Sequence, residues 1–237
     1  MRVSIMRVSN LRVLCYCAIA LFFMLPVQAI INGGFATSPF LKGVVRVNDD
    51  CTGALVGNKC VLTAHHCLAK GRLGVVMFPE FKNSVVIETN RSSPITASWS
   101  PEYSEQRCYD MEIAQLKDYH NMGYNLTNIT AGDSTGVAGW GFINDYTQPK
   151  ELHFRQYTAK AEYSSEGVVI PVMDGVSGIA FRDSGGPLFT CIDTKCSVAA
   201  VANGKSKTSS FLNTKHVFCD VRSNWEWIAE ILSSQCY

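Results

Sequence analysis

Three separated stretches carry residue types that together can break an acyl bond: "VLTAHHC" (Val61–Cys67), "CYDMEIAQL" (Cys108–Leu116) and "FRDSGGPL" (Phe181–Leu188). A serine hydroxyl is a weak nucleophile at neutral pH. It needs a base in hydrogen-bond reach, a group that orients the base, and N–H donors for the oxyanion. Singly, each stretch has an ordinary reading: a histidine packed beside a cysteine, an aspartate capping a turn, a Ser-Gly-Gly turn. Found together in the order His, Asp, Ser, they point to nucleophilic hydrolysis. The serine is not in a G-x-S-x-G elbow and the order is not Ser, Asp, His, which argues against an α/β-hydrolase esterase.

The elements that must position these residues are mostly strands. Runs such as "KGVVRV", "GALVG", "LGVVMF", "SVVIET", "ITASW", "EIAQL", "GVVIPV", "SVAAVA" and "HVFCDV" alternate with Gly, Asn, Ser and Pro turns, the pattern of an all-β barrel or sandwich. Helical periodicity emerges only in "SNWEWIAEILSS", where Trp227, Ile228 and Ile231 form one stripe behind a Ser223 or Asn224 cap. The polar stretch Lys117–Thr135 reads as the connection between two β domains.

The first 29 residues place three arginines before an apolar run and end in Val27-Gln28-Ala29, the pattern of a secretory signal peptide. The run is short for a membrane span. Loss of this leader removes three arginines and no acids, taking the formal net charge from +1 to −2, so nothing attracts nucleic acid or an anionic membrane. It also removes Cys15 and Cys17 from the ten cysteines, and an even remainder behind a leader reads as disulfides in an oxidising compartment. No zinc-type Cys or His spacing, calcium loop or cofactor motif is present, so no metal and no cofactor are expected. Asn90, Asn125 and Asn128 open N-x-S/T sequons, which matter in a eukaryotic host.

The chain resembles the chymotrypsin/trypsin family of serine proteases over nearly all of the sequence after the leader. "IINGG" resembles that family's mature N-terminus, "CTGALVGNKCVLTAHHC" its first disulfide loop, and "DMEIAQL" its catalytic-Asp strand. "VAGWG" resembles a turn of the second barrel, "RDSGGPL" the nucleophile loop, and "HVFCDVRSNWEWI" the last strand and C-terminal helix. The resemblance implies two six-stranded antiparallel β-barrels with a C-terminal α-helix, divided as 1–29 signal peptide, 30–125 first barrel, and 126–237 second barrel with the helix. It makes His66, next to the cysteine, the base rather than His65, with Asp110 as orienter and Ser184 as nucleophile. The backbone N–H groups of Arg182 and Ser184 would form the oxyanion hole. A freed Ile30 amine would pair with Asp183 to shape the site. No residues separate the leader's cleavage pattern from Ile30, so signal peptidase itself is expected to make that terminus.

Four departures from the family pattern qualify this expectation. Arg182 replaces a usual Gly, putting a Cβ where positive φ is favoured and a cation at the mouth that would filter substrates. Ala202 replaces a Ser that supports the Asp, and Asn203, before the expected Gly204, replaces a Trp wall of the cleft. Gly178 stands at the pocket base where trypsin-like enzymes have Asp, so preference for Lys or Arg is not expected. Ile179 and Phe181 are expected to line the pocket, with His216 near its floor. A His floor favours Gln or Glu, the apolar walls favour a small or apolar side chain, and a packed strand histidine touches no substrate. Family geometry fits Cys51–Cys67, and Cys191–Cys196 can close a local hairpin. Cys60, Cys108, Cys219 and Cys236 allow three connectivities, of which family geometry favours Cys60–Cys236 with Cys108–Cys219.

The expected protein is therefore a secreted monomeric serine endopeptidase acting on proteins or peptides. The competing class is a binding module on a protease frame. Retention of His66, Asp110, Ser184, Ile30 and Asp183 together argues against a dead copy.

Overall fold

A computed structural model describes residue 30 and residues 33–68, 74–102, 108–142, 148–157, 160–164, 167–172, 178–192, 195–205 and 214–237. The leader expected over 1–29 lies outside the described residues. In chain order the strands are β1 (Gly34–Phe35), β2 (Val44–Val47), β3 (Cys51–Val56), β4 (Cys60–Thr63), β5 (Val75–Met77), β6 (Glu80–Lys82), β7 (Val85–Ile87) and β8 (Ser92–Trp99). There follow β9 (Glu112–Leu116), β10 (Thr135–Gly139), β11 (His153–Gln156), β12 (Glu162–Ser164), β13 (Gly167–Val172), β14 (Pro187–Ile192), β15 (Lys195–Lys205) and β16 (Thr214–Asp220). A C-terminal helix, α1 (Trp225–Gln235), ends the chain.

Strands β2, β3, β4, β9, β8 and β5 close a six-stranded barrel in that order. Its alternating apolar residues, among them Val45, Val47, Leu55, Val61, Val76, Ile95, Ala114 and Leu116, fill the interior. The β6–β7 hairpin stands apart and turns through Asn83 and Ser84, both at positive φ, as a tight two-residue hairpin demands.

The second half is an antiparallel sheet of eight strands ordered β1-β11-β10-β14-β15-β16-β13-β12. Its end strands, β1 and β12, do not pair with each other among the described residues, so closure is seen in the first barrel and not in the second. β1 pairs with β11, which brings the N-terminal residues to the second half although they precede the first barrel in sequence. The connecting segment touches both halves within three residues: Tyr124 bridges Val56 and Leu126 bridges Val198.

A third cluster lies between the halves, where Trp140, Phe189, Tyr124, Leu41, Val44, Val201 and Ile228 pack together. Trp140 is fully buried and its Nε1–H donates to the Val44 carbonyl at 3.1 Å, joining the halves through one side chain. Helix α1 folds back on the first barrel. Gln115 Nε2 donates to the Gln235 carbonyl at 2.8 Å, and a disulfide joins Cys60 to Cys236. The other bridges are Cys51–Cys67, Cys108–Cys219 and Cys191–Cys196. The Cys108–Cys219 bridge ties the approach to β9 to the last strand of the second half.

Candidate active site

His66 sits on a 3-10 turn, His65–Cys67, that follows β4 and is held by the Cys51–Cys67 disulfide. Asp110 stands two residues before β9, the neighbour of β4 in the barrel. Both Asp110 oxygens face the turn: Oδ2 lies 2.8 Å from His66 Nδ1, and Oδ1 accepts from the His66 backbone N–H at 2.9 Å. The carboxylate thus fixes the tautomer with Nδ1 protonated and leaves Nε2 free to accept a proton. The hydrogen bond to Asp110 raises the His66 pKa above 6.5; burial opposes this and the Asp110 charge adds to it. For Asp110, burial works upward, but the hydrogen bonds from His66 and the charges of His66 and His65 prevail and hold its carboxyl below the usual range.

The Ser184 loop belongs to the second half and reaches the same corner through Thr52 of β3. Thr52 N–H donates to the Ser184 carbonyl at 2.9 Å, and Thr52 Oγ1 donates to the Arg182 carbonyl at 3.1 Å. The same hydroxyl accepts from Trp140 N–H at 3.1 Å. Gly185, at φ 79°, crosses directly over β3 and β4, where an added Cβ would lie 2.1 Å from Thr63 Oγ1 and 2.4 Å from the Thr52 carbonyl. Only a glycine lets the loop approach so closely. Among the described residues the His66 ring bonds Asp110 and not Ser184 Oγ; catalytic contacts of this kind often tighten only when substrate binds.

Within this loop the N–H groups of Asp183, Gly185 and Gly186 are bonded to the carbonyls of Ala180, Ala202 and Asp183. Those of Arg182 and Ser184 have no partner among the described residues, which leaves two donors beside the serine. Arg182 adopts φ 77°, the left-handed conformation that the glycine pattern at this position favours. Its side chain does not stand free at the mouth. The guanidinium lies 3.0 Å from Asp50 Oδ1, donates to Gln148 Oε1 at 2.7 Å, and covers the Phe142 ring at 4.4 Å. Gln148 is gripped in turn by Arg46, which pairs with Glu88.

Asp183 is fully buried, with Oδ1 accepting from Gly141 N–H and Oδ2 from Ala180 N–H, each at 2.7 Å. The glycines of "VAGWG" make room for it, since a Cβ at Gly139 or Gly141 would lie 2.1 or 2.5 Å from Oδ1. Ile30 is also fully buried, in the second-half core with Val137, Tyr157, Ile179 and Leu188.

The expected pocket residues assemble in part. Gly178, at φ 125°, lies against His216, whose Nε2 would be 2.2 Å from a Cβ placed there, so the imidazole occupies the space an acidic side chain would need. Gly204 pairs with Val217 beside it, and Asn203 sits in the β-bulge between, reaching Cys108 Sγ at 3.7 Å. Ile179 turns into the core, whereas Phe181 is 73% exposed and leans on Phe142, so the two do not line one wall. The chain here is not a strand: it enters a turn at Phe181, and the Asp183 carboxylate takes the Ala180 N–H between the two residues. Residues 173–177 and 206–213 lie outside the described residues.

Sequence reasoning missed Thr52, Asp50, Gln148 and the pair His65–Glu112, whose Nδ1 and Oε2 lie 2.6 Å apart. Glu112 follows Asp110 by two positions, and that spacing was the one available sign of a second carboxylate aimed at the turn. Cys51, His66 and Cys67 cluster tightly enough for a metal, but both thiols are consumed by the disulfide. No helix among the described residues is long and apolar enough to cross a membrane.

A family model described as Trypsin matches residues 31–228. The chain is 27% identical over 205 residues to granzyme C of Mus musculus, covering 77% of this chain and 79% of that relative. Among solved structures, the atomic-resolution structure of HBP superposes with a TM-score of 0.67 at 19% identity, and human heparin binding protein with 0.66 at 20%. Each of the two matches covers 86% of this chain and 97% of the other, and at such identity the likeness concerns the fold. With the family model spanning most of the sequence and the barrel, sheet and terminal helix in the corresponding order, the chain belongs to the chymotrypsin/trypsin-like serine protease family.

Proposed function

We propose that this protein is a secreted serine endopeptidase working through His66, Asp110 and Ser184. The observation that carries the reading is the double hold of Asp110 on His66, on a turn against which Thr52 docks the Ser184 loop. In the reaction, Ser184 Oγ attacks the scissile carbonyl while its proton passes to His66 Nε2. The oxyanion takes the unpartnered N–H groups of Arg182 and Ser184. Collapse breaks the C–N bond, His66 returns the proton to the leaving amine, and an ester to Ser184 remains. Water, deprotonated by the same ring, then releases the acid and restores the serine.

Cleavage before Ile30 would free an amine on a residue buried in the second-half core, and we infer that it pairs with the buried Asp183 carboxylate. Secretion fits four disulfides in a chain of this size. The substrate face is not built for Lys or Arg at P1, because Gly178 contributes no carboxylate and His216 fills the base. The binding-module reading rests on Arg182 and Ala202. Its Arg182 part is weakened because the guanidinium is drawn away by Asp50 and Gln148, leaving the backbone donor unpartnered among the described residues. Profiling the mature protein on a peptide library with every residue at P1 tests the reading. We expect cleavage with Lys and Arg disfavoured; preferential cleavage after Lys or Arg would overturn the pocket assignment.

A further inference from the structure

Two adjacent histidines on one turn are held by two carboxylates of one strand approach. His65 Nδ1 meets Glu112 Oε2 at 2.6 Å, while His66 Nδ1 meets Asp110 Oδ2 at 2.8 Å. Residues two apart in extended chain project to the same side. Met111 between them is fully buried in the core between the halves. Asp110 and Glu112 therefore form a two-pronged acidic edge, and His65 and His66 are the two groups it grips. The turn has just three residues and its two histidine side chains are held independently, so its rotation relative to β9 is defined at two points rather than one.

The second clasp is unlike a surface ion pair. The Glu112 side chain is 6% exposed and that of His65 41%, so the bond is half out of water and the carboxylate almost wholly so. Glu112 pairs with Thr63 in the β4–β9 ladder, which places its backbone at the base of the turn. A buried carboxylate at such a point demands a partner, and losing that partner is costly. The two clasps also sense one another, because the charge of His65 acts on Asp110 in the same direction as that of His66.

We propose that His65 and Glu112 are positioning residues for the base, a second clasp that holds the His66 imidazole in register with Asp110 and Ser184. This rests on the proposed protease chemistry, in which His66 carries the proton. Neither residue touches substrate. Their effect is on where the His66 ring sits, and displacements of about 1 Å in an oriented group cost on the order of 100-fold in rate.

The different chemistry of the two partners makes the test selective. Deleting His65 removes no negative charge and so, by electrostatics alone, cannot disfavour the protonated form of His66, whereas deleting the Glu112 anion does; a purely electrostatic role therefore does not lower the His66 midpoint in both variants. Loosening the turn weakens the His66–Asp110 bond in both and moves the titration down in both. The His66 ring is followed by 15N NMR across pH in full mature chain carrying Ser184→Ala, alone and with His65→Ala or Glu112→Ala. We expect its midpoint to fall in both, by on the order of half a pH unit. In the Ser184 enzyme we expect kcat to fall about 10-fold or more with KM little changed. Glu112→Gln and His65→Asn, which keep an acceptor and a donor, should restore part of the loss and serve where the alanine variants fail to fold. A fall in Glu112→Ala without one in His65→Ala, or unchanged titration and kcat with only a lower Tm, would overturn the proposal. If the parent enzyme hydrolyses nothing, the protease reading fails, while the NMR titration still decides whether the clasp positions the ring.

Discussion

At the residue scale, the His66–Asp110 pair sets how activity must depend on pH. The His66 pKa is raised above 6.5 and that of Asp110 lowered below 3.8. The stability contributed by His66 is complete below its unfolded pKa and is lost as pH rises through the folded one. That contributed by Asp110 is present above its unfolded pKa and is lost as pH falls through the folded one. Catalysis needs neutral His66, so kcat/KM should rise with pH along an acid limb whose midpoint lies above about 6.5. A pH–rate profile with its midpoint at or below that value would contradict the pairing. Asp110→Asn removes the acceptor that fixes the tautomer. The about 10⁴-fold loss attached to this replacement in the worked triad of the same family is the expected size, read as kcat with folding checked by circular dichroism.

At the scale of elements, Thr52 is the joint between β3 and the Ser184 loop. Its hydroxyl serves Trp140 N–H and the Arg182 carbonyl, and its backbone serves Ser184. Thr52→Val keeps the shape but strands the Trp140 donor in a buried site, a loss of about 1–3 kcal/mol. Denaturant unfolding should register that loss together with slower reaction at Ser184; an unchanged midpoint and rate would remove Thr52 from the account. The motifs around the triad were legible because each carries its own reason: the glycines of "VAGWG" clear space for Asp183, and Gly185 for β3. Each of the nine apolar runs read as strands from the sequence overlaps a strand, since alternating burial writes itself into residue type. Strands β10, β11 and β14 escaped because "TGVAG" is glycine-rich, "HFRQ" is polar, and β14 begins at Pro187, next to a motif that reads as loop. The tether of Arg182 was illegible for another reason: Asp50 and Gln148 lie far from it in sequence and nothing local links them.

At the scale of the whole molecule, the proposed site lies where the halves meet, with His66 and Asp110, the proposed base and orienter, on the closed barrel and the Ser184 loop on the eight-stranded sheet. The N-terminal residues reinforce this, since Ile30 packs in the second-half core and β1 joins its sheet. On the proposed pairing, a residue inserted before Ile30 in the mature chain keeps the fold but displaces the amine from Asp183. An ion pair broken on one side costs about 3–5 kcal/mol. Such a variant should therefore be secreted and folded yet unreactive at Ser184. Full reactivity, or N-terminal sequencing of secreted native material that shows a start other than Ile30, would contradict the proposed maturation.

In the proposed chemistry the Arg182-containing loop and the His66 turn assemble a working serine. Labelling of the secreted mature protein by a small fluorophosphonate at about pH 7.5, with Ser184→Ala as control, tests this at the nucleophile itself. Covalent labelling that disappears in the control is expected. Absence of labelling on a folded chain that begins at Ile30 would contradict the proposed assembly.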